Sequence, residues 1–145
     1  MSSPENQQLG KLPQGAEQAR FSISTEKPKI LIVEDHIPVA MLMTALLARA
    51  GIETEAATTG QKALQMAADG HFALITLDLD LPDVSGFEVC RRLKENPFFQ
   101  TPIVFVSGRP TEENQQHSHE LGALDFIAKP FRADEFIRRV LSHIE

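Results

Sequence analysis

A chain of 145 residues with 42% apolar and 23% charged side chains has the make-up of one packed domain and leaves little room for a second. Its net charge of −6 disfavours direct binding to nucleic acid, and its single cysteine, Cys90, excludes an internal disulfide or a multi-cysteine metal site. No apolar run approaches the ~18 residues needed to cross a bilayer, and the opening MSSPENQQ lacks the core of a signal peptide, so a cytoplasmic chain without membrane insertion is expected.

Residues 1–27 hold few large apolar side chains, Leu9, Leu12, Phe21 and Ile23, and read as a polar extension or linker. Within them ARFSIS at 19–24 alternates well enough for a short strand. From residue 28 onward the pattern is regular. KILIVE (29–34) is a continuous apolar run ending in acid, as in a parallel strand buried on both faces. Pro38 suits the first turn of a helix that turns Val39, Met43, Leu46, Leu47 and Ala50 to one side and ends at Gly51. IETEAA (52–57) reads as an edge strand, Thr59 opens a helix that Gly70 stops, and ALITLD (73–78) is another buried strand. GFEVCRRLKEN turns Phe87, Cys90 and Leu93 inward and ends before Pro97, and PIVFVS (102–107) is the fourth strand. A polar stretch follows from Thr111 to Glu120; without a large apolar residue its helix is expected to be short or weakly held. LDFIA then gives a fifth strand, and ADEFIRRVLSHI repeats apolar residues at helical spacing. Five strands separated by helices predict an α/β doubly wound parallel sheet, whose ligands sit beyond the carboxyl ends of the strands. Those ends carry Glu34 with Asp35, Asp78, Ser107 and Lys129.

In these motifs residues 28–145 resemble a bacterial response-regulator receiver domain. ILIVED is similar to the family's acidic pair, LDLDLPDVSG to its phosphoacceptor loop with Pro four and Gly eight residues after the aspartate, and VSG and AKP to its hydroxyl and lysine positions. The resemblance implies a flavodoxin-like (βα)5 fold of strand order 2-1-3-4-5 and a signalling switch of a two-component phosphorelay. It makes Asp78 the phosphoacceptor and Glu34, Asp35, Asp78 and the Asp80 backbone carbonyl the ligands of Mg²⁺, with Mn²⁺ as a substitute. Lys129 and Ser107 then contact the phosphoryl group, Ser107 and Phe126 form the switch, and the Lys129–Pro130 peptide is cis. Asp80 and Arg109, two residues after Asp78 and Ser107, would modulate phosphoryl lifetime by pairing across the mouth, or stand apart as solvated side chains. Such a domain is no enzyme beyond its own phosphoryl transfer and dephosphorylation. Its implied partners are a histidine kinase or histidine phosphotransfer protein and an unidentified downstream protein, with homodimerisation open.

Physically, a carboxylate at a strand tip can act as a nucleophile toward phosphorus, and two neighbouring carboxylates need a cation to resolve their repulsion. Lys129→Ala is expected to lower phosphoryl acceptance and leave the fold intact, since it removes a site charge rather than a core side chain. The five histidines show no ligand spacing and read as surface residues, with His36 adjoining the acidic pair. A rival reading is a phosphohydrolase resembling the haloacid dehalogenases, with Asp78 and Asp80 as its DxD pair. There the metal-binding acids follow the nucleophile, whereas Glu34 and Asp35 precede Asp78, and Pro82 stands where that family places Thr or Val. A degenerate receiver that only binds is a weaker rival, because every chemical position is filled. The stretch at 19–24 also resembles the closing strand of a histidine-kinase ATP-binding domain, which leaves a stand-alone switch and a receiver cut from a hybrid kinase both open.

Overall fold

Continuous apolar runs make strands that are covered on both faces, and three such runs occupy the middle of one parallel sheet. They are β1 (Lys29–Val33), β3 (Leu74–Leu77) and β4 (Ile103–Ser107), flanked by β2 (Glu53–Ala57) and β5 (Asp125–Ala128) in the order β2-β1-β3-β4-β5. This computed structural model describes residues 27–144, so the alternating stretch at 19–24 lies outside the described residues. The polar β2 takes an edge, as its composition predicts. Pairing of Val33 with Leu77, Leu77 with Phe105 and Ser107 with Ala128 brings the carboxyl ends of the strands to one rim.

Alternation within each strand divides the core in two. Ile30, Ile32, Leu74, Val104 and Val106 pack against α1 (Ile37–Arg49) and α5 (Ala133–Ser142) through Met43, Leu47, Phe136 and Val140. Leu31, Val33, Ile75, Leu77 and Phe105 pack against α2 (Gly60–Asp69) and α3 (Gly86–Lys94) through Ala63, Val89, Cys90 and Leu93. Each large side chain fully withdrawn from water contributes about 1.5–3 kcal/mol before entropy is counted. The helix starts follow their capping residues: Thr59, Ser85 and Thr111 each accept an amide three residues on. Off the inward side of α1, Ile37, Met41 and Leu42 stand 51%, 66% and 49% exposed.

The polar stretch forms α4 (Glu112–Glu120), in which only Ser118 is buried. Its supports are local: the Thr111 cap, acids in its first turn, and bonds from Asn114 Nδ2 to the Arg109 carbonyl and from Gln115 Nε2 to the Pro110 carbonyl, both 2.9 Å. Tertiary packing ordinarily supplies most helix stability, so the amides of α4 should exchange with solvent well before those of α1. Hydrogen-exchange mass spectrometry checks this, and equal protection of the two helices would contradict it.

Candidate functional site

The strand ends set the site. At the end of β1 the Glu34 amide donates to the Ala57 carbonyl at 3.0 Å, and its carboxylate is buried, accepting the His36 amide at 3.1 Å and the Lys129 ammonium at 2.8 Å. Asp35 is exposed beside it. Asp78, immediately beyond β3, is 4% exposed; its Oδ2 lies 3.2 Å from Lys129 Nζ and its Oδ1 accepts the Asp80 amide at 3.3 Å. The loop after it returns through an Asp80–Ser85 bridge to Gly86, where a Cβ would stand 2.1 Å from the Asp78 carbonyl oxygen. That close approach accounts for the glycine eight residues after the aspartate.

Ser107, fully buried at the end of β4, accepts the Arg109 amide at 3.1 Å through Oγ, and its carbonyl accepts the Lys129 amide at 2.8 Å. The Lys129–Pro130 peptide is cis, as the resemblance implied. Lys129 thus donates directly to both Glu34 and Asp78, while Ser107 joins the group through the backbone of Lys129. Phe126 is half-buried on β5, beside Phe105 of β4, with the two rings 6.3 Å apart. Asp80 and Arg109 do meet across the mouth: Nε and Nη2 reach the two carboxylate oxygens at 3.1 and 2.8 Å.

Burial first, and then the Glu34 charge, push the Asp78 carboxyl up to about 6 against the pull of Lys129. Burial alone would lower Lys129, but the hydrogen bond to Glu34 and the charges of both carboxylates outweigh it and hold the ammonium above its ordinary value. Glu34, Asp35 and Asp78 each offer an oxygen, all within 4.8 Å of one another. Three carboxylates against one ammonium leave uncompensated negative charge among oxygen donors, a set that suits a hard divalent cation such as Mg²⁺.

Two groupings were not anticipated from sequence. Asp83 in the phosphoacceptor-like loop accepts the amides of Gly60 and Gln61, both at 2.8 Å, from the start of α2. Behind Phe126, Arg139 binds Asp125 and donates to the Phe126 carbonyl at 2.9 Å. His143 adds a contact to Asp125 at 3.1 Å and is half-buried, which corrects its reading as a surface residue. The other four histidines are exposed, with His117 resting edge-on against Phe87.

Residues 30–141 match the family model described as the response regulator receiver domain. The chain belongs to that family. The transcriptional regulatory protein SrrA of Staphylococcus aureus is 38% identical to this receiver over 112 residues, which cover 77% of this chain and 46% of SrrA. The chain therefore spans about half the length of the curated relatives it matches. Among solved structures, the BeF3-activated N-terminal receiver domain of RstA from Klebsiella pneumoniae aligns with TM-score 0.76 and 30% identity over 81% of this chain and 98% of that one. The non-phosphorylated HemR receiver domain from Leptospira biflexa aligns with TM-score 0.75 and 32% identity over 82% and 95%. Fold and strand order agree with what the motifs implied.

Proposed function

We propose that this receiver, residues 28–145 with 1–27 as an extension or linker, is a phosphoryl-accepting switch of a two-component phosphorelay in the cytoplasm. Asp78 is its acceptor. The observation that carries the reading is the buried Glu34–Lys129–Asp78 cluster at the strand ends, because an ordinary solvated aspartate needs neither that burial nor that ammonium. In the forward step an Asp78 carboxylate oxygen forms a bond to the phosphorus of a phosphohistidine. The phosphorus–nitrogen bond breaks, and its electron pair stays on the imidazole. Glu34, Asp35, Asp78 and the Asp80 carbonyl would hold Mg²⁺, or Mn²⁺ in its place, which supplies charge neutralisation for the phosphoryl oxygens. Lys129 neutralises another of those oxygens and Ser107 donates its hydroxyl hydrogen to one. Movement of Ser107 toward the group makes room for Phe126, which has no hydroxyl to keep in water, and so changes the 107–145 surface that a downstream protein reads. Return to the resting state transfers the phosphoryl group to water.

The donor is a histidine kinase or a histidine phosphotransfer protein, and its docking face must adjoin the mouth. Val39, Leu42, Lys129, Pro130 and Phe131 line an apolar hollow of about 320 Å³ there, and Ile37 and Met41 are also exposed on α1. With Mg²⁺ and acetyl phosphate, the protein should gain one acid-stable, base-labile phosphoryl group by intact-mass spectrometry, and Asp78→Asn should not. Equal labelling of the two would overturn the assignment. Sustained turnover of an aryl phosphate would instead favour the hydrolase reading.

The Asp80–Arg109 pair is exposed at both ends, so it adds little to stability and its interest is kinetic. Paired, the two side chains partly cover the path by which water reaches the phosphoryl group. Phosphoryl half-lives of Asp80→Ala, Arg109→Ala and the double variant should therefore depart from additivity by about two- to fivefold. Strict additivity on the logarithm of the rate would count against a gate.

A further inference from the structure

The loop that carries Asp80 is closed at its base, where Gly86 meets the Asp78 carbonyl, yet its tip is also fastened, to a different element. Asp83 places one carboxylate oxygen on the Gly60 amide and the other on the Gln61 amide, each at 2.8 Å, across more than twenty residues of chain. α2 does not depend on Asp83 for its cap, since Thr59 already accepts the Lys62 amide at 3.0 Å. Its start is seated on the loop a second time through Gly60, where a Cβ would lie 2.4 Å from Val84 Cγ2 and 2.9 Å from Val89 Cγ2. Two unrelated contacts, one a pair of hydrogen bonds and one steric, therefore press the same helix end onto the same loop.

That helix end follows β2 directly, and the last residue of β2, Ala57, accepts the Glu34 amide at 3.0 Å. A short chain of bonds thus runs from Glu34 through Ala57 and the start of α2 to Asp83, and along the loop to Asp80. We infer that Asp83 is a positioning residue that fixes the loop bearing the Asp80 carbonyl relative to the Glu34–Asp35 pair, and so sets the affinity of the site for a divalent cation. The inference rests on the magnesium reading above. The hydrogen bonds from Gln61 and then Gly60 also hold the Asp83 carboxyl below its ordinary range, so the clamp stays charged at the pH at which the receiver would work. Supports behind metal ligands commonly govern affinity by ten- to a hundredfold because a ligand that can wander has to be ordered on binding.

The test is isothermal titration of the full chain with MgCl2, together with a melting curve of each variant without metal. Asp83→Ala should weaken Mg²⁺ binding about tenfold. Asp83→Asn, which can accept only one of the two amides, should fall between it and wild type, and Gly60→Ala should weaken binding without touching any charge. At saturating Mg²⁺ all three should reach the wild-type extent of labelling by acetyl phosphate. A folded Asp83→Ala or Asp83→Asn that binds Mg²⁺ like wild type would overturn the inference. So would loss of labelling that no Mg²⁺ concentration restores. Absence of Mg²⁺ binding by wild type, or wild-type binding that Asp78→Asn leaves unchanged, would instead sink the magnesium reading itself.

Discussion

Lys129→Ala is expected to cost the fold roughly 3 kcal/mol at neutral pH, in addition to lowering phosphoryl acceptance. The ammonium is largely buried and lies 2.8 Å from Glu34 and 3.2 Å from Asp78, two carboxylates that have almost no access to water. Removing it leaves both in a poorly solvated site with no cation. The Asp78 carboxyl, already raised by burial and by Glu34, then rises further and takes up a proton, which limits the loss but also removes the carboxylate proposed as acceptor. The sequence-based expectation of an unburdened fold changes for this reason. The stabilising contribution of Lys129 should be present through neutral pH and fade only in the alkaline range above 10.5, because its folded-state value is raised. Denaturant titration at pH 7.5 checks the size, and a variant as stable as wild type would show that the cluster is far better solvated than its burial implies.

Asp78→Asn should act in the opposite sense on stability. The folded protein holds the Asp78 carboxyl at about 6, against an ordinary 3.8, so between those values the folded state binds more protons than the unfolded state. Stability therefore falls as pH rises through that window, and the penalty is in full force above about 6. The rise from 3.8 to about 6 corresponds to ~3 kcal/mol, part of which asparagine forfeits by accepting less well from Lys129. In chelator, Asp78→Asn should be about 1–3 kcal/mol more stable than wild type at pH 7.5, with the gap closing toward pH 4. A gap that does not change with pH, or one that favours wild type, would contradict this account of the acceptor. The gap should also narrow when Mg²⁺ is added, since cation binding stabilises the carboxylate form of wild type.

The sheet was legible because buried parallel strands leave unbroken apolar runs, and KILIVE, ALITLD and PIVFVS each stand between turn residues. The site was legible for a related reason: in this architecture a polar residue directly after such a run faces the ligand rim, which selects Glu34, Asp78, Ser107 and Lys129 without any distance. Contacts between separate loops leave no such trace. Asp83 reads locally as a turn residue, and only the fold shows that its partners are Gly60 and Gln61. The glycine placed directly after the Thr59 cap was a faint signal of something pressing on that helix end. Similarly, a histidine just after α5 carries no mark of the half-buried aspartate it meets.

The most direct measurement is chemical mapping of the phosphorylated residue. Protein labelled with Mg²⁺ and acetyl phosphate is reduced with borohydride, which converts an aspartyl phosphate to homoserine, and the digest is sequenced by tandem mass spectrometry. Homoserine at position 78 alone, dependent on Mg²⁺ and on the donor, is the predicted result. Reduction at Asp80 or Asp35, or a label that survives base and resides on a histidine, would contradict the account.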